Sequence, residues 1–353
     1  MPSPRRRPVT IKQVAAEAGV SLQTVSRVIN NEPNVRDVVK TRVQDVVTRL
    51  GYVPNLAARR LGGNRSYLLL ALNDRDRTVD DWRRGEGTDW VDQRLLGGMV
   101  TCAEHGYRMM LELVDTHSAH VEREISAALS ALHPDGVILT PPHSDNPVII
   151  GLLELRGVPF ARIGSVDDGA GFSIAMDERR AASVATEHLI RLGHRRIGLI
   201  RGSDEYALSA ARLEGYREAL RAAGLDADPA LAAPGDFSFD SGLAAAHALL
   251  ALDEPPTGIV ASNDQMALAT LHVAGARGLS VPGDLSVVSF DDTPVVRFSL
   301  PPLTAIKQPI AAMTARAADL LIGARSGDGG PAGPSVLPFE LVVRGSTAAP
   351  RGG

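Results

Sequence analysis

The sequence predicts a multidomain chain: an all-α helix-turn-helix module followed by two α/β Rossmann-like subdomains. Three observations predict it. Basic charge gathers at the N-terminal end, short helical runs there are punctuated by glycine, and from residue 66 onward apolar strand-like runs alternate with helical patterns. At 353 residues the chain is also longer than one ordinary core organises.

The charge is strongly uneven. Residues 1–65 hold twelve Lys and Arg against four Asp and Glu, whereas the remainder holds 25 against 37, so the net −4 hides a basic arm on an acidic body. Such an arm suits a polyanion partner at one end only, although a solvated basic tail would give the same count. A single cysteine, Cys102, excludes an internal disulfide and a multi-cysteine metal site. Arg5, Arg6 and Arg7 precede no signal-peptide apolar stretch, and no run approaches the roughly 18 apolar residues of a membrane span. A cytoplasmic protein with no membrane partner and no cofactor is expected.

Thr10 opens a run in which Ile11, Val14, Ala15 and Ala18 recur on one helical face. Thr10 and Gln13 fit a capping box, in which each side chain satisfies an orphan amide of the first turn, and Gly19 stops the helix cheaply in the left-handed conformation. Ser21 then caps a second helix from Leu22 to about Asn30, with Val25 and Val28 turned inward. A third helix near 37–50 carries Val39, Val43, Val46, Val47 and Leu50 as its stripe and ends at Gly51. Two short helices about a glycine-containing turn are a helix-turn-helix. Its second helix would enter a major groove with its first residues at the base edges. Leu22 would meet a thymine methyl, Gln23 an adenine and, one turn on, Arg27 a guanine. The same exposed face would also serve a three-helix protein-interaction module.

The runs Val9–Ala15, Ala18–Ser21 and Thr24–Asn30 resemble the DNA-binding domain of the LacI/GalR family of transcriptional regulators. That resemblance implies DNA contacts from Thr10, Ser21, Leu22, Gln23, Thr24, Ser26, Arg27 and Asn30. Leu50–Asn55 followed by Ala57–Leu61 is similar to the family's third-helix end and hinge helix. It implies that residues 55–61 fold on the operator beside the same segment of a second subunit, with Asn55, Ala58 and Arg59 at the DNA and Leu61 as a minor-groove wedge. A wedge of this kind unstacks a base step and gains wrapped surface, while Arg59, Arg60 and Arg65 would hold phosphates. The alternative is that Leu61 packs on a core, against which Gly62-Gly63 argue for a free-standing segment. One departure is Arg36, where the family has a Ser or similar cap; Asp37 is the substitute expected.

In the body, the expected strands are Tyr67–Asn73, Tyr107–Val114, Gly136–Thr140, Val158–Ile163, Arg196–Ile200, Thr257–Ala261 and Leu285–Phe290. A helix over 177–192 keeps Ala181, Val184, Ala185, Leu189 and Leu192 on one face. Strand–helix alternation means parallel sheets covered on both sides, and its length points to two subdomains rather than one. In such sheets ligands sit beyond the carboxyl ends of the strands. Asn73 and Asp74, Asp145, Asn263 and Asp264, and Asp291 and Asp292 fall there, and Arg212 opens a helix after the Arg196 strand. Carboxylates, amides and a guanidinium suit a polyhydroxylated ligand, with Phe237 and Trp90 as apolar walls. Individually, each such residue is more often a helix cap than a ligand, Asp264 above all.

The family resemblance continues to about residue 347. Leu192–Arg195, Arg212–Tyr216, Ser262–Ala267, Phe290–Thr293 and Pro301–Gln308 are similar to its marked segments. They imply a periplasmic-binding-protein-like sensor with Arg212, Asn263 and Asp291 in the pocket and Phe237 as a stacking aromatic. The implied organisation is 1–54 DNA-binding domain, 55–65 hinge and linker, 66–347 sensing and dimerisation domain, and 348–353 flexible tail. The implied partners are a near-palindromic double-stranded operator, a small-molecule effector of sugar type and a second copy of the chain. A purine corepressor, a sugar-binding transport receptor and an enzyme are the alternatives. Against the last, the chain has no nucleophile elbow or phosphate loop, and its one metal-like grouping, His117 and His120 near Glu122 and Glu124, reads as surface. Two departures stand out. Residues 74–91 form a longer and more charged loop than the family's, which leaves one pocket wall unassigned. Ser144 stands where some sugar-binding relatives have an Asp, which leaves open whether the candidate contact Asp145 points inward.

Overall fold

A computed structural model describes residues 9–29, 35–52, 65–165, 169–326 and 333–351. The chain divides into two compact units, Met1–Tyr67 and Leu68–Gly353.

In the first unit, helices α1 (Ile11–Ala18), α2 (Leu22–Ile29) and α3 (Asp37–Leu50) pack around Val14, Val25 and Val43, all fully buried. The capping box forms: the Thr10 hydroxyl accepts from the Gln13 amide, and the Gln13 side chain accepts from the Thr10 amide at 2.8 Å. Gly19 takes φ +62 after α1, and the Ser21 hydroxyl accepts from the Thr24 amide at 3.1 Å to open α2. Helix α3 begins at Arg36 with no side-chain cap. Asp37 does not replace the missing cap; it stands in the first turn, where its charge complements the helix dipole.

The second unit consists of two lobes, each with its own six-stranded sheet. The first lobe contains β1 (Leu68–Asp74), α4 (Arg75–Arg84), α5 (Thr88–Glu104), β2 (Arg108–Val114), α6 (Val121–Leu132), β3 (Gly136–Leu139), α7 (Pro147–Leu155), β4 (Phe160–Ile163) and β5 (Phe172–Ala175). The second contains α8 (Glu178–Arg191), β6 (Ile197–Ile200), α9 (Ala207–Ala222), β7 (Ala232–Ala233), α10 (Phe239–Leu249), β8 (Gly258–Ala261), α11 (Asp264–Ala276), β9 (Ser286–Asp291) and β10 (Thr304–Lys307). Helix α12 (Ile310–Ser326) and β11 (Ser335–Val336) return to the first lobe, and β12 (Glu340–Val342) ends in the second. The sheet orders are β11-β5-β4-β3-β1-β2 and β12-β10-β9-β8-β6-β7. Every recorded strand pair is parallel except β10 with β12.

The seven expected strands and the 177–192 helix all form, with ends shifted by at most two residues. Five short strands, β5, β7, β10, β11 and β12, were not expected; at two to four residues each they carry too little periodicity to read. The segment 74–91 is not a loop. Asp74 caps α4, Arg77 and Asp81 pair one turn apart at 3.8 Å, and Gly85 ends the helix at φ +69, so its dense charge is a solvated helical face. Part of the expected tail is tied down: the Ala348 carbonyl accepts from His194 at 2.9 Å, and Arg351 reaches Asp284 at 3.1 Å. Among the described residues no helix is long and apolar enough to cross a membrane, and no group of three His, Cys, Asp or Glu could hold a metal.

Helices α5 and α12 pack backbone to backbone. A Cβ on Gly97 would stand 1.9 Å from the Ala311 carbonyl oxygen, whereas one on Gly151 of α7 meets nothing within 4 Å. Gly97→Ala should therefore lower the melting temperature of the full-length protein, at a cost of roughly 1–3 kcal/mol. Gly151→Ala should leave it unchanged or raise it, by up to about 1 kcal/mol of helix propensity. Equal responses in thermal unfolding would contradict this helix contact.

Candidate functional site

On the first unit, Val25 and Val28 bury one side of α2, and Leu22, Gln23 and Arg27 stand exposed on the other. Leu22 is 44% exposed, which an apolar side chain does not gain from by itself. Thr10 and Ser21 are also exposed, Thr24 and Ser26 half-buried. Thr10, Ser21 and Thr24 are engaged in the caps described above. Asn30 and the hinge residues Asn55, Ala58, Arg59 and Leu61 lie outside the described residues.

The second unit holds a cleft lined from both lobes. The carboxyl ends of β1 and β3 supply Asn73, Asp74 and Thr140; those of β8 and β9 supply Asn263, Asp264 and Asp291. Asn73, Asp74, Trp90, Arg212, Phe237, Asn263 and Asp291 thus all line it, as the strand-end argument expects. Asp145 does not. The turn His143–Asp145 directs Ser144 inward to the Ile163 carbonyl at 2.7 Å and turns Asp145 onto Arg162 at 2.8 Å, away from the cleft.

Several of these residues act on one another before they meet any ligand. Asp74 is a helix cap: one oxygen accepts from the Arg77 amide at 2.9 Å and the other from the Thr116 hydroxyl at 2.9 Å. Asn263 caps α11 through the Met266 amide and donates to the Phe237 carbonyl at 2.7 Å. That bond holds Phe237 at φ +72, an uncommon conformation for an aromatic residue. The Phe237 ring stacks on Tyr206 with centroids 5.5 Å apart, and Arg77 reaches over from the first lobe, 5.5 Å from the Phe237 ring, to donate to the Asp236 carbonyl at 2.9 Å.

Electrostatics concentrate on the second-lobe wall. Arg212, 3% exposed, pairs with Glu178 at 2.8 Å, donates to the Ser262 carbonyl and lies 4.3 Å from the Phe290 ring centroid. Asp291 sits at φ +92 and accepts from Gln308. Burial pushes its carboxyl up to about 6, against the pull of Arg212. Burial and the neighbouring Asp291 also raise Asp264 well above the usual carboxylate range, although it accepts from Ser289 and from the Thr293 amide and hydroxyl at 2.8 and 2.7 Å. It is not the helix cap expected: Asn263 holds that place, and Asp264 ties the turn after β9 instead.

Sequence reasoning missed Arg77, Arg94, Thr140, Tyr206 and Gln308, which also line the cleft. For Arg94 a signal existed: it stands one helical turn after Trp90, and its guanidinium lies 4.9 Å from the Trp90 centroid. Thr140 carries the strand-end signal as well; nothing local marked Arg77, Tyr206 and Gln308, which meet only in the folded lobes.

Residues 10–55 match the family model of the bacterial regulatory proteins of the lacI family, and residues 186–347 that of a periplasmic binding protein-like domain. The HTH-type transcriptional regulator CelR of Thermobifida fusca is 36% identical over 97% of this chain and 99% of its own length. The chain belongs to the LacI family. The HTH-type transcriptional repressor CytR of Escherichia coli K12 is 33% identical over 96% of each chain. Among solved structures, a CelR–cellobiose complex matches with a TM-score of 0.71 at 34% identity, covering 96% of this chain and all of that one. The lac repressor dimer bound to operator and an anti-inducer matches with a TM-score of 0.75 at 29% identity, over 97% and 100%. The LacI-family chain described here is therefore a sequence-specific DNA-binding transcription regulator, built from a helix-turn-helix unit and a two-lobed sensor unit.

Because Asp291 keeps its proton to higher pH in the folded state than in the unfolded chain, stability falls as pH rises from about 4 through about 6, and the cost persists above that window. Asp291→Asn should thus stabilise the ligand-free protein at pH 8 by up to about 3 kcal/mol, read as a higher melting temperature, and lose that advantage near pH 4. A gain independent of pH would refute the buried-charge account.

Proposed function

We propose that this regulator is a repressor whose cleft takes a sugar effector and whose operator is read in two places. The observation that carries the sugar reading is the second-lobe wall, where the Asp291 carboxylate and the Arg212 guanidinium stand together beside the stacked Tyr206–Phe237 pair. Fixed charged groups that engage vicinal hydroxyls, set beside an apolar face, are what a pyranose requires. The CelR–cellobiose complex supports the same class of ligand. The cleft binds rather than catalyses, because Asp74, Asn263 and Asp264 are already committed to structural hydrogen bonds.

On DNA, Leu22, Gln23 and Arg27 read the major groove, and the segment bearing Leu61 supplies the minor-groove contact. Two copies act together on a near-palindrome. The exposed Leu96, Met99 and Val100 of α5, with Met110 on β2, give an apolar surface for that pairing. Effector binding shifts the balance between lobe arrangements, and a coupling of about 1–3 kcal/mol alters operator affinity some 5–150-fold.

Two variants of the full-length protein test this reading. Leu61→Ala should weaken specific operator binding far more than binding to random duplex, measured by fluorescence anisotropy at fixed salt; equal losses would remove the wedge. Asp291→Asn should abolish the response to the effector found in a thermal-shift screen of sugars and nucleobases, with ligand-free operator binding intact. A normal response in this variant, or a screen answered only by nucleobases, would overturn the sugar cleft.

A further inference from the structure

The first-lobe wall of the cleft holds a charge that hydroxyl recognition leaves unexplained. Arg94 on α5 is 4% exposed and lines the cleft. Its guanidinium donates to the Thr140 hydroxyl at 2.7 Å and to the Asn73 amide oxygen, and it lies over Trp90. All three partners are neutral. No carboxylate among the described residues pairs with it, and burial without an opposing charge pulls its pKa down to about 9.

The other buried arginine of the cleft differs in the decisive respect. Arg212 has Glu178 at 2.8 Å and acts on Asp291, so its charge is answered within the protein. Of the first-lobe carboxylates that line the cleft, Asp74 is held by the Arg77 amide and Thr116, Asp81 pairs with Arg77, and neither Glu86 nor Asp89 forms an ion pair with Arg94. A buried cation without an anion is costly, and the ring quadrupole of Trp90 answers only part of the charge. The bonds to Thr140 and Asn73 fix the plane of the guanidinium and leave further N–H groups over. A planar fork of that kind matches a carboxylate or a phosphate.

We propose that the effector is an acidic sugar whose one anionic group, a uronate or aldonate carboxylate or a sugar phosphate, docks on Arg94 from the cleft. Its hydroxyls meet the Asp291–Arg212 wall. The inference rests on the sugar reading above and narrows it: Arg94 selects the charge and the second lobe selects the hydroxyls.

The full-length protein is titrated by calorimetry with glucose, cellobiose, glucuronate, galacturonate, gluconate, cellobionate and glucose 6-phosphate. At least one acidic sugar should bind about tenfold or more tightly than its neutral counterpart, the effect of a charge-assisted pair, and the advantage should shrink as salt rises. The carboxylate and phosphate arms identify which anion is taken. Arg94→Met should erase the discrimination, and Arg94→Lys should keep part of it. Arg94→Met should also melt above the wild type without ligand, which shows that it is folded. A neutral sugar that binds as well as its acid, undiminished in Arg94→Met, overturns the acidic effector and leaves the sugar reading standing. Discrimination that survives Arg94→Met also overturns the assignment, and a protein that binds none of the seven overturns both readings.

Discussion

The second lobe is organised around one buried carboxylate. Asp264, at the start of α11, accepts from Ser289 on β9 and from the amide and hydroxyl of Thr293 beyond it. These bonds tie the end of β8 to the turn that follows β9. That turn is conformationally costly, since Asp291 and Asp292 both take positive φ. With the turn held, Asp291 faces Gln308 and the Arg212–Glu178 pair, and Asp292 anchors Arg344 at 2.6 Å. An apolar residue at 264 would free the turn and, with it, the carboxylate that defines the cleft wall.

The two walls of the cleft are chemically unlike. The second lobe presents compensated charge and an aromatic pair; the first presents an uncompensated guanidinium backed by Trp90. Between them the ion pairs among the described residues are exposed. Arg84–Asp240 and His117–Glu205 both span 3.2 Å and are well exposed, so neither contributes more than about 1 kcal/mol. Arg77 is the more substantial link, through the Asp236 carbonyl and the Tyr206 and Phe237 rings. Weak links of this kind leave the balance between lobe arrangements to be decided by a ligand that touches both walls. The charged helix α4 carries two of these three links.

The N-terminal unit follows a different economy. Its three helices are short enough that caps matter to their stability, and they are closed by Thr10–Gln13, Ser21 and two left-handed glycines. Its core is a handful of alanines and valines. The exposed apolar Leu22 beside Gln23 and Arg27 is therefore free to serve recognition rather than folding.

These differences explain what could be read from residues in order. The capping box, the glycine stops, the inward valines and the strand ends bearing Asn73, Asp74, Asn263 and Asp291 are local signals, because they depend on neighbours within a turn or on the end of a strand. Asp145 was misjudged for the same reason: its place after a strand is local, but the turn that sends it to Arg162 depends on β4, seventeen residues on. The density of charge in 74–91 hid a helix whose ion pairs only a three-dimensional turn brings together. Sequence by itself determined the family, the architecture and most of the cleft's polar lining. Tertiary structure alone decided which of those groups are already spoken for. Whether Arg212 is answered and Arg94 is not depends on residues far apart in the chain, Glu178 for the one and neutral Asn73 and Thr140 for the other.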